Sequence, residues 1–202
     1  MPERSQQQLS SFSALIRARQ SCRAYRADPV QRDYLDRMLE AACRAPSACN
    51  RQPWRFVVVT RKETRAVIAA RGLLPGLSAG WVAEAPVLIV MGMCRSVVTH
   101  RIAPLVSGVD YPLIDLGIAG EHLVLQATEL GLGTCWIGWV RPGVIRKLVG
   151  WPVSIQPAIV FTVGWPRVES DQSAPPAGES AVSDDVPRTD RLPPADLVQW
   201  LE

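Results

Sequence analysis

Three short blocks of this 202-residue chain combine residue types and spacings that could do chemistry. Arg19, Ser21 and Arg23 place two guanidinium groups and a hydroxyl within five residues. A guanidinium is a planar fork of donors, so such a set can converge on a phosphate through charge-assisted bonds. The same residues would also suit a solvated helix end, where arginine complements the helix dipole. The second block is Pro46-Ser47-Ala48-Cys49-Asn50-Arg51-Gln52-Pro53-Trp54. Its prolines stiffen it, and Ser, Asn and Gln supply donors and acceptors that could read the polar edge of a planar heterocycle, with Trp54 as an anchor. Turn formers joining a helix to a strand would look the same. The third block, Gly131-Leu132-Gly133-Thr134-Cys135-Trp136-Ile137-Gly138, has glycines at nucleotide-like spacing. A dinucleotide fingerprint follows a strand and opens a helix, whereas this block follows a predicted helix and opens a predicted strand. The glycines therefore read as a tight helix-to-strand turn, and without G-K-[ST] there is no P-loop.

Other chemistries fit less well. Gly76-Leu77-Ser78-Ala79-Gly80 matches the G-x-S-x-G elbow of serine hydrolases, with Asp115 and His122 following in triad order. That elbow needs a strand before it and a helix after it, which the flanking residues do not promise. Asp115 and His122 also sit two turns apart on one predicted helix, a poor arrangement for a triad. His100 and His122 are the only histidines and lack ligand spacing with cysteine or carboxylate, so no metal is expected. Cys22, Cys43, Cys49, Cys94 and Cys135 are odd in number and form no C-x-x-C, which fits free thiols in a reducing compartment.

The elements that must position these blocks follow from hydrophobic pattern. Apolar residues make up 48% of the chain and charged residues 20%, enough for a globular core. The net charge of +3 implies no basic face for nucleic acid. The polar N-terminus and the short apolar runs give no leader and no membrane span, so a soluble cytoplasmic protein is expected. Phe12, Leu15 and Ile16 form one helical stripe, and Leu35, Met38, Leu39, Ala42 and Cys43 a second, stopped by Pro46. Residues 56–59, 87–91, 134–138 and 158–163 read as strands. Residues 61–71, about 112–130 and 142–150 read as helices, the long one capped by Gly131. Residues 1–166 form the expected domain, 167–190 a polar linker, and 191–202 a tail that regains hydrophobicity.

R-x-S-x-R, then P-S-x-x-N-x-Q-P-W before a strand, then E-L-G-L-G-T-C-W-I-G closing a long helix, together resemble the nitroreductase family. The similarity runs over residues 13–165, with an echo at Arg191-Leu192-Pro193. The resemblance implies an α+β, three-layer fold with a central, mixed but mainly antiparallel sheet flanked by helices, intertwined as a homodimer that holds FMN. It implies that Arg19, Ser21 and Arg23 hold the FMN phosphate, joined by Arg191 and with Arg188 as a lesser helper. Pro46, Ser47, Ala48 and Asn50 would line the isoalloxazine from the partner subunit, and Ile137 and Gly138 would present backbone groups beside its reactive edge. The implied activity is an oxidoreductase in which NADH or NADPH reduces FMN and a flat acceptor (a nitroaromatic, quinone or enone) is reduced in turn. No catalytic side chain is named, because the cofactor carries the chemistry.

The chain departs from the family pattern at Gln20, often basic there, at Cys49, usually a small glycine-like residue, and at the bulky Trp136. Cys49 reads as a packing thiol in preference to a redox-active one. Trp81 and Trp139 read as core or interface residues rather than substrate platforms. Residues 96–112 carry no interpretable pattern. A flavin-binding sensor or storage module would use the same binding residues as the enzyme.

Overall fold

The central strand β2 (Val87–Cys94) is apolar throughout and buried along nearly its whole length, as a strand covered on both faces must be. In the computed structural model, which describes residues 11–76, 79–94 and 108–167, it lies inside a four-stranded sheet. Its neighbours are β1 (Trp54–Val59) and β4 (Ile155–Gly164), and β3 (Gly133–Ile137) borders β4 at the far edge. All three pairings are antiparallel. The mixed character expected of the sheet reduces, among the described residues, to one parallel bridge between Ser21 and Thr134.

Alternation along the strands sorts the side chains into two cores. Val87, Ile89, Met91 and Met93 join Phe161 and Val163 beneath helices α2 (Arg32–Cys43) and α5 (Tyr111–Glu129). Leu88, Val90 and Val160 face the other way, with Ile68, Val82 and Ile145. That second layer comes from α3 (Lys62–Val67) with its wider continuation Ile68–Gly72, from α4 (Ala79–Glu84) and from α6 (Pro142–Leu148). A buried aliphatic side chain contributes about 1.5–3 kcal/mol, so helices on each face are fixed by what the strands offer them. The result is the expected α+β, three-layer arrangement.

The four strands and the helices expected from periodicity are all present; α4 is additional. Its C-terminal carbonyls are met from outside, since the Arg65 guanidinium donates to Ala83 O at 3.3 Å and also to Ala85 O. Helix α1 (Ser11–Ala18) delivers the chain to the edge of β3. At the end of α5, Gly131 adopts φ +76° while Leu132 N–H donates to Ala127 O and Gly131 N–H to Thr128 O, the double closure that a left-handed residue permits. Among the described residues, no helix is long and apolar enough to cross a membrane. Ser78, His100, Arg188, Arg191, the 167–190 linker beyond its first residue and the 191–202 tail lie outside the described residues.

Candidate active site

The segment carrying Arg19, Ser21 and Arg23 leaves α1 and runs along the free edge of β3. Cys22 N–H donates to Thr134 O at 2.8 Å. Further on, Arg26 N–H donates to Trp165 O and Arg167 N–H to Ala24 O, so the chain beyond β4 grips the segment too. Tyr25, 4% exposed, anchors it from below, donating to Cys22 O at 2.6 Å.

The three predicted phosphate-binding residues all bear on the buried Cys135 thiol. Burial pushes the Cys135 thiol up, while the Arg23 and Arg19 guanidiniums and the Ser21 hydroxyl all act in the opposite direction. Burial is also the main reason that the Cys22 thiol is raised. Arg23 further lies 6.0 Å over the Trp81 ring, within cation–π range. Trp81 is thereby half-buried against the second core, as a core tryptophan should be, and it also steadies an arginine. Arg26, Arg32, Arg44 and Arg167 pair with carboxylates, but among the described residues no carboxylate pairs with Arg19 or Arg23. Two guanidiniums that no carboxylate pairs with among the described residues, and a hydroxyl, lie on one strand-edge segment, the donor types that suit a phosphate dianion.

Gly133 makes this approach possible. A Cβ built there would stand 2.7 Å from both Cβ and Sγ of Cys22. Its glycine identity serves the close crossing, and Gly131 alone supplies the left-handed turn; the sequence reading assigned both to the turn.

The second block folds as a short 3-10 turn, Ala48–Asn50, between α2 and β1. Cys49 and Asn50 each have φ 51° and Gln52 has φ 47°, three left-handed residues without a glycine among them. Strain of this kind, about 1–3 kcal/mol per residue, clusters at functional sites. Local bonds hold it: Gln52 N–H donates to Ser47 Oγ at 2.9 Å, and Gln52 Nε2 donates to Asn50 Oδ1 at 3.2 Å. Pro46 and Asn50 are exposed, and Ser47 and Ala48 half-buried. Cys49 is exposed, so the packing role expected of its thiol is not the one this fold gives it. Trp54 is buried in the first core, as its anchoring role requires.

Ile137 is buried at the end of β3 and Gly138 is exposed just beyond it. The following loop is held in strand-like fashion, with Leu74 N–H donating to Trp139 O and Arg141 N–H to Gly72 O. Trp139 is 56% exposed rather than core, its indole N–H fixed to Pro75 O at 2.9 Å. Trp136 stacks edge-on against Phe161 at 4.8 Å, in space left by Gly120. The structure thus brings Arg19, Ser21 and Arg23 together along β3, whose other end carries Ile137 and Gly138. The 46–50 block is tied to α5 instead.

The tie is Asp115, whose Oδ1 accepts from Ala48 N–H at 3.0 Å. Sequence reasoning weighed Asp115 only as a triad member. His122 likewise meets Ala41 O through Nδ1 at 3.2 Å, as an ordinary hydrogen-bonding histidine. The stretch before Ser78 is a helical turn closing at Gly72 rather than the strand a nucleophile elbow needs.

Comparison with known proteins identifies the family and the fold. A model of the Nitroreductase family matches residues 16–75 and 67–165. A protein of Archaeoglobus fulgidus assigned as an NADH dehydrogenase/NAD(P)H nitroreductase is 30% identical over 167 residues, covering 78% of this chain and 86% of that protein. The NAD(P)H-type FMN reductase of Bacillus subtilis is 31% identical over 170 residues, 76% of this chain and 64% of its own length. The crystal structure of a nitroreductase family protein from Clostridium novyi shares the fold with a TM-score of 0.69 and 31% identity, covering 78% of this chain and 86% of that one. The chain belongs to the nitroreductase family.

Proposed function

We propose that this chain is an FMN-dependent oxidoreductase working as a homodimer, with NADH or NADPH as the electron source and a small flat acceptor such as a nitroaromatic, quinone or enone. The observation that carries the reading is that the Arg19–Arg23 segment runs along the edge of β3, bridged at Ser21 to Thr134, with no carboxylate pairing Arg19 or Arg23 among the described residues. Bound FMN supplies the hydride exchange between nicotinamide and acceptor, which no side chain here could perform. Arg19 and Arg23 would neutralise the phosphate, Ser21 would donate to it, and Arg191 joins them on the family resemblance. Ile137 and Gly138 would set the backbone beside the reactive ring edge. Pro46, Ser47, Ala48 and Asn50 would line the ring of the site shared with the partner subunit.

Exposed apolar side chains support the pairing of two copies. Leu113 and Ile114 of α5 are 52% and 50% exposed, and Phe12 of α1 is 61% exposed. Such a face is expected to be covered.

Anaerobic mixing with NADH or NADPH tests the activity. Bleaching of the flavin absorbance, reversed on adding a quinone or nitroaromatic, is the expected result. A flavin that stays yellow with both nucleotides would identify a binding module instead.

A further inference from the structure

Asp115 is the buried carboxylate of the described residues, 4% exposed within the N-terminal half of α5. Its Oδ1 accepts from Ala48 N–H at 3.0 Å. A carboxylate is expensive to bury without a polar partner, and the Ala48 amide is such a partner. What it grips is the first residue of the Ala48–Asn50 turn, immediately before left-handed Cys49 and Asn50. Asn50 tolerates the left-handed region but Cys49 does not favour it, so contacts must help to hold that backbone. The bonds inside the turn, from Asn50 N–H to Ser47 O and from Gln52 N–H to Ser47 Oγ, tie it only to itself. Asp115 ties it to the scaffold, through a helix that packs on α2 and on the sheet.

We infer that Asp115 is the positioning residue for the ring-binding half of the site, fixing the strained turn in the shape that meets the isoalloxazine; this rests on the FMN reading above. The phosphate half, built on the edge of β3, is independent of it. The two halves therefore fail differently. Loss of the Asp115 anchor should weaken any flavin that carries the ring, with or without a phosphate.

The test is titration of the full chain with FMN and with riboflavin, following both affinity and the visible spectrum of the bound ring. Asp115→Leu should weaken both flavins by the same factor, at least about tenfold, as expected when a charge-assisted anchor is removed. Asp115→Asn, whose amide oxygen still accepts, should stay within about threefold of the wild type for both. Ala48→Pro removes the donor and leaves Asp115 in place; Ser47 has φ −144° and ψ 155°, the extended conformation favoured before proline. It should reproduce the Asp115→Leu loss and shift the ring spectrum, and wild-type affinity there overturns the inference even if Asp115→Leu does not fold. Arg23→Ala, by contrast, should weaken FMN and spare riboflavin. Wild-type affinity for both flavins in Ala48→Pro, or a loss confined to FMN in Asp115→Leu, overturns the inference. Wild-type protein that takes up neither flavin overturns the FMN reading, and the inference falls with it.

Discussion

The Tyr25 and Thr162 hydroxyl oxygens stand 2.6 Å apart, joining two residues 137 positions apart in the chain. Both are buried, and two hydroxyl protons are shared among four oxygens. Tyr25 donates to Cys22 O at 2.6 Å, which leaves the Thr162 hydroxyl to donate to Tyr25. The competing acceptor for Thr162, Cys135 O, is 3.5 Å away. This chain of bonds ties the Arg19–Arg23 segment to the C-terminal part of β4. Tyr25→Phe leaves the Cys22 carbonyl and the Thr162 hydroxyl without their shared partner. A loss of about 1–3 kcal/mol is expected from urea unfolding. A variant as stable as the wild type would show that the pair contributes nothing.

Gly133→Ala should be poorly tolerated for a reason specific to the site. The new Cβ would meet the Cβ of Cys22, close to the main chain, so the arginine segment itself has to move. A cost of about 1–3 kcal/mol is expected, as for overpacking elsewhere. FMN affinity should fall alongside stability, whereas riboflavin affinity should change little. Equal losses for the two flavins would show that the disturbance is not confined to the phosphate side.

Alkaline pH should weaken the fold in two steps. Burial raises Cys22 and Cys135 above their ordinary value of 9.0 and Tyr25 above its ordinary 10.0. The unfolded chain releases these protons first, so above those values the native state holds more protons and stability falls as pH rises. The contribution is intact below pH 9, starts to decline there with the thiols, and declines further above pH 10 with the phenol. Urea midpoints measured across this range check it, and Tyr25→Phe should lose the second step. Stability that is flat from neutral pH to beyond pH 10 would contradict the burial of these groups.

Much of this was legible before any coordinates. Runs such as residues 87–91 are strands because an unbroken apolar stretch has to be covered on both faces. Gly131 announces the end of α5 because it alone there reaches the left-handed region without strain. Other features are invisible in one dimension. Helix α4 is only six residues long, and its closing carbonyls depend on Arg65, fourteen positions before it starts. Left-handed Asn50 suits its residue type, but left-handed Cys49 depends on contacts, so cysteine gives no warning. Asp115 sits 67 positions from the amide it binds, and only the packing of α5 over the 48–50 turn reveals the connection.

The affinity difference between FMN and riboflavin, measured in the wild type and in Arg23→Ala, decides whether Arg19, Ser21 and Arg23 seat a phosphate. The wild type should prefer FMN by at least about tenfold, as expected for charge-assisted bonds to a phosphate, and Arg23→Ala should erase most of that preference. Equal affinity for the two flavins in the wild type, or an undiminished preference in the variant, would contradict it.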